Sequence, residues 1–286
     1  ARYKMLLSQI KNIDFKEIEL NENPNFYVKA KDDIHLDEEK AELGMMAVGY
    51  YAILESAFRF NKNISIGNQS DFVAEMYAYF SKLASRNKDA WTDSALDANE
   101  IKNITKKNSL QAFPYNKYHC TSWNINQSAA IIVCSEKIAD DLDIPQEKRV
   151  YPLASSENNH MIGTLQRPKL YEQHGMQLAA KYILDVCQKL KIEPNFYDLY
   201  SCFPVAVQMF AESLNLNDYK KFTITGGMSF AGGPLNSYVL HSLAKMVSKI
   251  RKTKDSSGII TGVSGMMTKQ SYAVLSSNPL MNFTHK

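Results

Sequence analysis

The sequence is short of cysteine and has no long hydrophobic run. Its 286 residues include four cysteines, and none of them forms a C-x-x-C pair or a Cys/His cluster with zinc-like spacing. No apolar stretch approaches the roughly 20 residues that a membrane-spanning helix requires. These absences argue against a metal site, a disulfide scaffold and a membrane span. We expect free thiols and a cytoplasmic location.

The chain also has little excess of charge of either sign. The 33 basic and 30 acidic residues leave a formal net charge of +3. A dedicated nucleic-acid-binding protein usually carries a concentrated basic face, so we expect no nucleic-acid partner. The hydrophobic fraction of 45% is ordinary for a globular protein. The length suffices for one large domain or two smaller ones with a substantial core.

The first 110 residues are predicted to be helical, with long connections and no sheet. A short helix is predicted over residues 1–12. A longer one begins with Asp37 as its N-cap and continues at helical spacing to Phe60. A third helix is predicted to be capped by Ser70 or Asp71.

From residue 111 to the end, predicted strands and helices alternate, which indicates a layered α/β domain. The apolar run Ala129–Cys134 is predicted to be a buried strand, and Ser135 is predicted to cap the helix after it. Further strands are predicted at 149–153, 196–201, 258–261 and 271–275, and further helices at 173–190, 205–214 and 235–251.

A glycine-rich segment directly before a predicted helix gives the densest chemical signal. Thr225–Pro234 contains four of the twelve glycines. Backbone N–H groups at the start of a helix can hold an anion or an oxyanion. A tight turn between packed elements is an equally good interpretation. The spacing differs from G-x-G-x-x-G and from a P-loop, so a phosphate- or nucleotide-binding domain is a minor third hypothesis.

A second candidate segment is Asp198–Pro204, where a predicted strand ends and a helix begins. There the helix dipole would favour a thiolate at Cys202, and Tyr200 could direct its hydroxyl into the same space. A buried, unreactive thiol and a core aromatic ring are the alternatives, and for Cys202 we favour the buried thiol.

A third segment, Gly262–Lys269, is predicted to form a sharp turn after a strand. Lys269 could meet a phosphate, but solvation is the commoner role of a surface lysine. His241 follows the glycine-rich segment on a predicted helix, where a packing role is commoner than that of a base. No Ser-His-Asp or metal-binding pattern follows from the spacing alone.

Together and in this order, these segments resemble the thiolase superfamily, near the acetyl-CoA acetyltransferase-like and sterol-carrier-protein types of thiolase. The similarity covers nearly the whole chain and is carried by residues 51–57, 87–91, 126–130, 198–208, 225–234 and 265–269. It implies an α/β protein with a layered αβαβα fold made of two similar halves. This chain would contain the helical loop domain (1–110) and the C-terminal α/β half (111–286).

The resemblance also implies an activity and partners. We expect an acyltransferase with a coenzyme A thioester as substrate, no covalently bound cofactor and no metal. The other half, which in the family supplies the nucleophilic cysteine, would precede Ala1, either as a separate fragment or as part of a cleaved chain. Thiolase relatives are commonly oligomeric, so a homo-oligomer is expected.

The family's catalytic motifs carry over only in part. Tyr200 occupies the place of an Asn or His that binds the thioester oxygen, and Gly233 stands where the family has a catalytic His. The turn 262–264 has no counterpart of the Cys in the Cys-x-Gly motif. A degenerate acyl-CoA- or lipid-binding homologue and a retro-aldolase, which needs no covalent intermediate, are therefore the alternatives. The resulting assignment is Tyr200, Cys202 and His241 as catalytic residues, with Gly232, Gly233, Ser264 and Gly265 as substrate-binding residues.

Overall fold

The computed structural model describes residues 35–279 and the backbone of 284–285. The helix predicted over residues 1–12 lies outside the described residues. The front part contains four helices and a small antiparallel hairpin. These are α1 (Asp37–Leu43), α2 (Ala47–Asn61), α3 (Ile66–Ala84), α4 (Ala98–Lys102), β1 (Leu110–Ala112) and β2 (Tyr115–Asn116).

The single helix predicted from Asp37 to Phe60 is divided in two. Asp37 is the first residue of α1, and Leu36 occupies the N-cap. Gly44 adopts φ 74°, which ends α1 because a left-handed residue cannot continue the helix. The expectation of one helix capped by Asp37 was therefore wrong.

Helix α3 begins earlier than predicted. The Ser65 hydroxyl accepts a hydrogen bond from the Asn68 amide at 3.1 Å and so caps the helix at Ile66. Ser70 and Asp71, the predicted caps, lie inside its first turns.

The rest of the described chain alternates helices and strands. The helices are α5 (Glu136–Asp141), α6 (His174–Lys189), α7 (Pro204–Ser213) and α8 (Tyr238–Ile250). The strands are β3 (Tyr151–Asn159), β4 (Phe196–Asp198), β5 (Ser257–Ser264), β6 (Lys269–Ser276) and β7 (Thr284–His285). Among the described residues, no helix has the length and apolar character needed to cross a membrane.

Strands β3 to β7 form one mixed sheet in the order β4–β5–β6–β3–β7. The pairs β4–β5 and β3–β7 are parallel, whereas β5–β6 and β6–β3 are antiparallel. The expected α/β class is confirmed. Gly262, which was expected in a turn, lies inside β5, and the turn itself spans residues 265–268.

Helices cover both faces of this sheet. Ile259 and Val274 are cross-strand partners whose side chains join the core that contains α6 and α7. Ile260, one residue further along β5, faces the opposite way and packs with Met246 and Ile250 of α8. This two-sided burial explains why the adjacent residues Ile259 and Ile260 are both apolar.

The predicted buried strand at Ala129–Cys134 does not form within the described chain. These residues make no sheet pairing, and most of them are exposed to solvent. The expectation that they are buried in this part of the molecule was wrong. The helix predicted to follow does form, and the Ser135 hydroxyl caps it by accepting from the Ile138 amide at 3.3 Å.

Candidate functional site

Asp198, at the end of β4, holds the start of the glycine-rich segment. Its buried Oδ1 accepts hydrogen bonds from the Thr223 hydroxyl (2.8 Å), the Ile224 amide (2.9 Å), and the amide (3.2 Å) and hydroxyl (3.1 Å) of Thr225. Its Oδ2 accepts from the Tyr238 hydroxyl at 2.9 Å. A buried carboxylate needs this many donors, and meeting that need places residues 223–225 beside the end of the strand.

Two glycines allow the segment to pass close to α3. Gly226 and Gly227 adopt φ 104° and 74°. A Cβ on Gly226 would lie 2.5 Å from the backbone nitrogen of Ala84, and one on Gly227 would lie 2.8 Å from the Phe80 ring. Glycine is therefore required here both by backbone conformation and by space.

The glycine-rich segment lies against the turn that carries Tyr200 and Cys202. The Met228 amide donates to the Ser201 hydroxyl at 2.9 Å. The Thr121 hydroxyl donates to the carbonyl of Cys202 at 3.0 Å. Two segments singled out in the sequence are thus neighbours in the fold.

Gly232 and Gly233, the two glycines predicted to bind substrate, differ in whether their amides already donate a hydrogen bond within the protein. The amide of Gly233 donates to the carbonyl of Ser122 at 2.9 Å, so it is already engaged. The amide of Gly232, at φ 107°, has no hydrogen-bond partner within residues 35–279. Gly232 is accordingly the better placed of the two to donate to a ligand.

Gly232 and His241 line the same cleft, which has a volume of about 340 Å³. Burial lowers the pKa of His241, and Asp89 partly opposes that effect. Lys245 hydrogen-bonds Asn87 and lies 3.6 Å from the Asp89 carboxylate. The cleft therefore holds an imidazole biased towards its neutral form beside a lysine.

Tyr200 is next to this cleft rather than on its wall. Its ring packs edge-to-face on Tyr238, which does line the cleft, with ring centroids 5.5 Å apart. The Tyr200 amide donates to the Thr261 hydroxyl at 2.8 Å, which fixes the residue against β5. Burial raises the pKa of Tyr200, and Cys202 adds to the effect, so the phenol keeps its proton and can act as a donor.

The cysteines around the candidate site are protonated thiols at neutral pH. Burial raises the pKa of Cys202 to about 12 and that of Cys120 to about 12. The expected dipole effect of the following helix does not overcome burial at Cys202. The structure thus agrees with the buried-thiol interpretation and gives no support for Cys202 as a thiolate nucleophile.

Several polar side chains near Cys202 carried no chemical signal in the sequence. Tyr51 lies beside the Cys202 thiol and stacks on Phe203 with ring centroids 4.5 Å apart. Tyr77 lies near the same thiol and packs edge-on against His119, with centroids 5.7 Å apart. Tyr51 stands in a matching stretch of the resemblance, whereas the helical position of Tyr77 read only as core.

His119 is a neutral imidazole in this environment. Its Nδ1 accepts a hydrogen bond from the Asn116 amide at 3.0 Å, which leaves the proton of the neutral ring on Nε2. Burial lowers the pKa of His119 to about 4. His119 therefore presents an N–H donor rather than a charge or a base.

Ser264 and Gly265 lie apart from the cleft of Gly232 and His241. Ser264 is exposed at the end of β5, paired with Lys269, and Gly265 begins the turn to β6. The neighbouring Met266 carbonyl accepts a hydrogen bond from Arg167 at 2.7 Å. The seven predicted site residues are thus distributed over three places: the cleft with the glycine-rich segment at its wall, the Tyr200–Cys202 turn and the β5–β6 turn.

No cluster of three or more potential metal-ligating side chains occurs in the described part of the chain.

No protein-family model matches the sequence, and no curated protein sequence matches it. Solved structures do match.

The monomeric SCP2-thiolase-like protein type 1 from Mycobacterium smegmatis matches with a TM-score of 0.78 and 25% identity, over 87% of this chain and 55% of that chain. The Ltp2–ChsH2(DUF35) aldolase matches with a TM-score of 0.63 and 13% identity, over 88% and 70% of the two chains. The dimeric peroxisomal thiolase of Saccharomyces cerevisiae matches with a TM-score of 0.55 and 15% identity, over 90% and 65%. The chain thus spans about half the length of the mycobacterial protein.

Proposed function

This chain has a thiolase-superfamily fold over most of its length, and on that basis we propose that it acts on acyl-CoA thioesters as an acyltransferase. The observation that carries the proposal is the contact between the glycine-rich segment and the Tyr200–Cys202 turn, made by the Met228–Ser201 hydrogen bond. This contact brings the turn that carries Tyr200 next to the segment that carries Gly232, which lines the cleft.

The donors suit a thioester carbonyl. Carbon–carbon bond formation or cleavage beside a thioester places negative charge on the carbonyl oxygen, and fixed N–H and O–H donors stabilise that charge. The protonated phenol of Tyr200 and the amide of Gly232 are the donors proposed here: Gly232 lines the cleft, and the Tyr200 ring packs on Tyr238, which also lines it. The imidazole of His241 is the proposed proton-transfer group in the cleft.

Acyl transfer also requires a nucleophile. Because the thiols of Cys202 and Cys120 stay protonated, we propose that the nucleophile comes from the part of the thiolase fold that this chain does not span. The proposed partners are therefore acyl-CoA, a polypeptide segment that supplies the other α/β half, and further copies in a homo-oligomer. A cytoplasmic location is part of the proposal, supported by four free cysteines.

A second candidate is a retro-aldol cleavage of a CoA thioester. It is favoured by the raised thiol pKa values and by Gly233 at the position where the resemblance implies a catalytic histidine, because this reaction needs no covalent thioester intermediate. A structural match of the same fold is itself described as an aldolase. A non-catalytic acyl-CoA- or lipid-binding role is the third candidate.

Tyr200→Phe tests the proposed oxyanion donor. With acetoacetyl-CoA and CoA as the probes, we expect turnover by the protein in its complete assembly to fall about 100-fold, typical for loss of one oxyanion donor. Tyr197→Phe is the matched control, since Tyr197 is a half-buried tyrosine on the adjacent strand, and it should leave turnover within about twofold.

The outcomes separate the candidates. Thiolytic turnover lost in Tyr200→Phe supports acyl transfer with Tyr200 as donor. Binding of acetoacetyl-CoA without turnover, unaltered in Tyr200→Phe, would reject both the enzyme and the donor role in favour of a binding protein. Cleavage of a β-hydroxyacyl-CoA in place of thiolysis would select the retro-aldolase.

A further inference from the structure

A second cavity lies in the helical front part of the chain, between α2, α3 and the β1–β2 hairpin. It has a volume of about 160 Å³ and shares no lining residue with the cleft that contains Gly232 and His241. An apolar cavity of about 150 Å³ in a protein interior takes up benzene. By that comparison, this cavity has room for one molecule with about six carbon atoms.

Large apolar side chains form the outer part of this cavity. Four of the residues that line it are large, apolar and exposed to solvent: Ile66, Ile104, Leu110 and Phe113. Single exposed apolar side chains are common on protein surfaces, but a cluster of them around a cavity is typical of a ligand site. The apolar body of a bound molecule would cover part of each of these side chains.

The buried wall of the cavity contains a polar network that is held by its own hydrogen bonds. Glu55 accepts hydrogen bonds from the Tyr115 hydroxyl at 2.7 Å, from Gln208 at 3.1 Å and from Gln69. Gln69 also donates to Gln208 at 2.8 Å, so the four side chains form one connected group. This network fixes the wall of the cavity and does not by itself require a ligand.

His119 lines the same cavity and has a polar atom that the protein does not satisfy. It is 5% exposed, and its Nδ1 accepts a hydrogen bond from the Asn116 amide at 3.0 Å. The proton of the neutral ring is therefore on Nε2, and Nε2 has no hydrogen-bond partner within residues 35–279. A buried donor without an acceptor is destabilising, and an acceptor atom on a bound molecule would remove that cost.

The charged side chains around the cavity favour an uncharged ligand. Lys102 pairs with Asp71, and Arg59 donates to the Ile64 carbonyl at 2.6 Å. A carboxylate ligand would be buried near the carboxyl group of Glu55, and a cationic ligand would offer no acceptor to His119. A neutral carbonyl compound avoids both costs.

We propose that this cavity binds a small neutral carbonyl compound, such as a six-membered cyclic ketone. Its oxygen would accept a hydrogen bond from Nε2–H of His119, and its apolar body would lie against Ile66, Ile104 and Phe113. The cavity is a site for a second ligand, and its occupation is independent of thioester chemistry in the cleft of Gly232 and His241.

Cyclohexanone and methylenecyclohexane test the hydrogen bond, because the two molecules have similar shapes and only the ketone carries an oxygen acceptor. In the full chain with isotope-labelled histidine, the Nε2–H signal of His119 is assigned by its loss in His119→Asn. We expect saturating cyclohexanone to shift this proton signal downfield, as a new hydrogen bond does, and methylenecyclohexane not to do so. A signal unchanged by cyclohexanone would mean that only water meets Nε2 and would overturn the proposal.

The affinities of the two probes, measured by NMR titration, separate the role of Nε2 from that of packing. His119→Asn keeps an acceptor near the position of Nδ1 and removes Nε2. It should weaken cyclohexanone binding about two- to tenfold more than methylenecyclohexane binding, the usual net effect of one neutral hydrogen bond. Equal losses for the two probes would contradict a hydrogen bond from His119 to the ketone.

Ile104→Ser and Ile138→Ser test the location of the site. Both isoleucines are exposed, but only Ile104 lines the cavity, so neither change should unfold the protein. We expect Ile104→Ser to weaken the binding of both probes at least about threefold, because it removes apolar contact area, and Ile138→Ser to weaken neither. Equal effects of the two variants would place the probes elsewhere.

Competition with acetoacetyl-CoA tests whether the cavity is separate from the proposed thioester site. We expect the affinity for cyclohexanone to be the same with and without saturating acetoacetyl-CoA. Displacement of cyclohexanone would assign the cavity to the thioester site and overturn the proposal of a second ligand.

Discussion

At the scale of single residues, burial decides the chemistry of the candidate site. The thiol of Cys202 and the phenol of Tyr200 both keep their protons because burial disfavours the charged forms. The buried side chain of Asp198 accepts five hydrogen bonds. The site therefore offers neutral donors around a structural acid.

His119 should make stability depend on pH. Its pKa falls from 6.5 to about 4 on folding, so below pH 6.5 the unfolded chain binds more protons than the folded one. Stability contributed by neutral His119 is present above pH 6.5 and is lost as pH falls towards 4, by up to about 3 kcal/mol. Urea unfolding between pH 7 and pH 4 should show this loss.

His119→Asn removes the titrating group but keeps an acceptor near the position of Nδ1. Its free energy of unfolding should fall less steeply with acid than that of the unsubstituted protein, whatever its stability at pH 7. His174→Asn, at an exposed position, should keep the original slope. Equal slopes in all three proteins would contradict a buried, neutral His119.

At the scale of elements, the glycine-rich segment is shaped by its contacts. Asp198 of β4 fixes one end, and the last turns of α3 lie so close to Gly226 and Gly227 that neither position has room for a Cβ atom. The segment then lies against the Tyr200–Cys202 turn through Met228. A helix and a strand end thus position the candidate donors, which places the site on rigid elements.

Two glycine substitutions should have opposite effects. In Gly226→Ala, the alanine would have to adopt the positive φ of Gly226, and its Cβ would clash with Ala84. We therefore expect a loss of about 2–4 kcal/mol in the free energy of unfolding. Gly67→Ala, in α3, meets no atom within 4 Å and should add about 0.4–1 kcal/mol. Urea titration of both variants measures the difference. A tolerated Gly226→Ala would show that the segment is not constrained by α3.

At the scale of the whole molecule, the chain has a core of its own and an unsatisfied surface. A five-stranded sheet covered on both faces is complete without the segment 129–134. Yet the chain spans 55% of the mycobacterial protein whose fold it shares. The described part can therefore be a stable folded unit although it leaves apolar side chains such as Ile132 exposed.

The double substitution Ile132→Lys and Val133→Lys should make the isolated chain less prone to associate. Because both side chains are exposed, the double substitution should change the free energy of unfolding by less than about 0.5 kcal/mol. It should reduce association and binding of a hydrophobic dye, measured by ultracentrifugation and fluorescence. Leu153→Lys, at a position 1% exposed, is the contrasting variant and should unfold the protein. A strongly destabilised double variant would mean that residues 132 and 133 are already buried.

Local signals in the sequence were sufficient for much of the fold. The strand predicted at 258–261, the Ser135 cap and the start of a helix after the segment Asp198–Pro204 each depend on neighbouring residues, so the α/β class and several element positions could be predicted. The contact between the glycine-rich segment and the Tyr200–Cys202 turn also fits the order of motifs in the resemblance.

The behaviour of the site residues depends on contacts between segments that are distant in the sequence. The fold placed Tyr51 and Tyr77 near Cys202 and packed His119 against Tyr77, and it engaged the Gly233 amide while that of Gly232 has no partner within residues 35–279. It also left most of Ala129–Cys134 exposed, although the composition of this segment is that of a buried strand. Composition determines that a strand favours burial, but burial, hydrogen-bond partners and pKa depend on which distant segments lie beside it, and those contacts exist only in the folded chain.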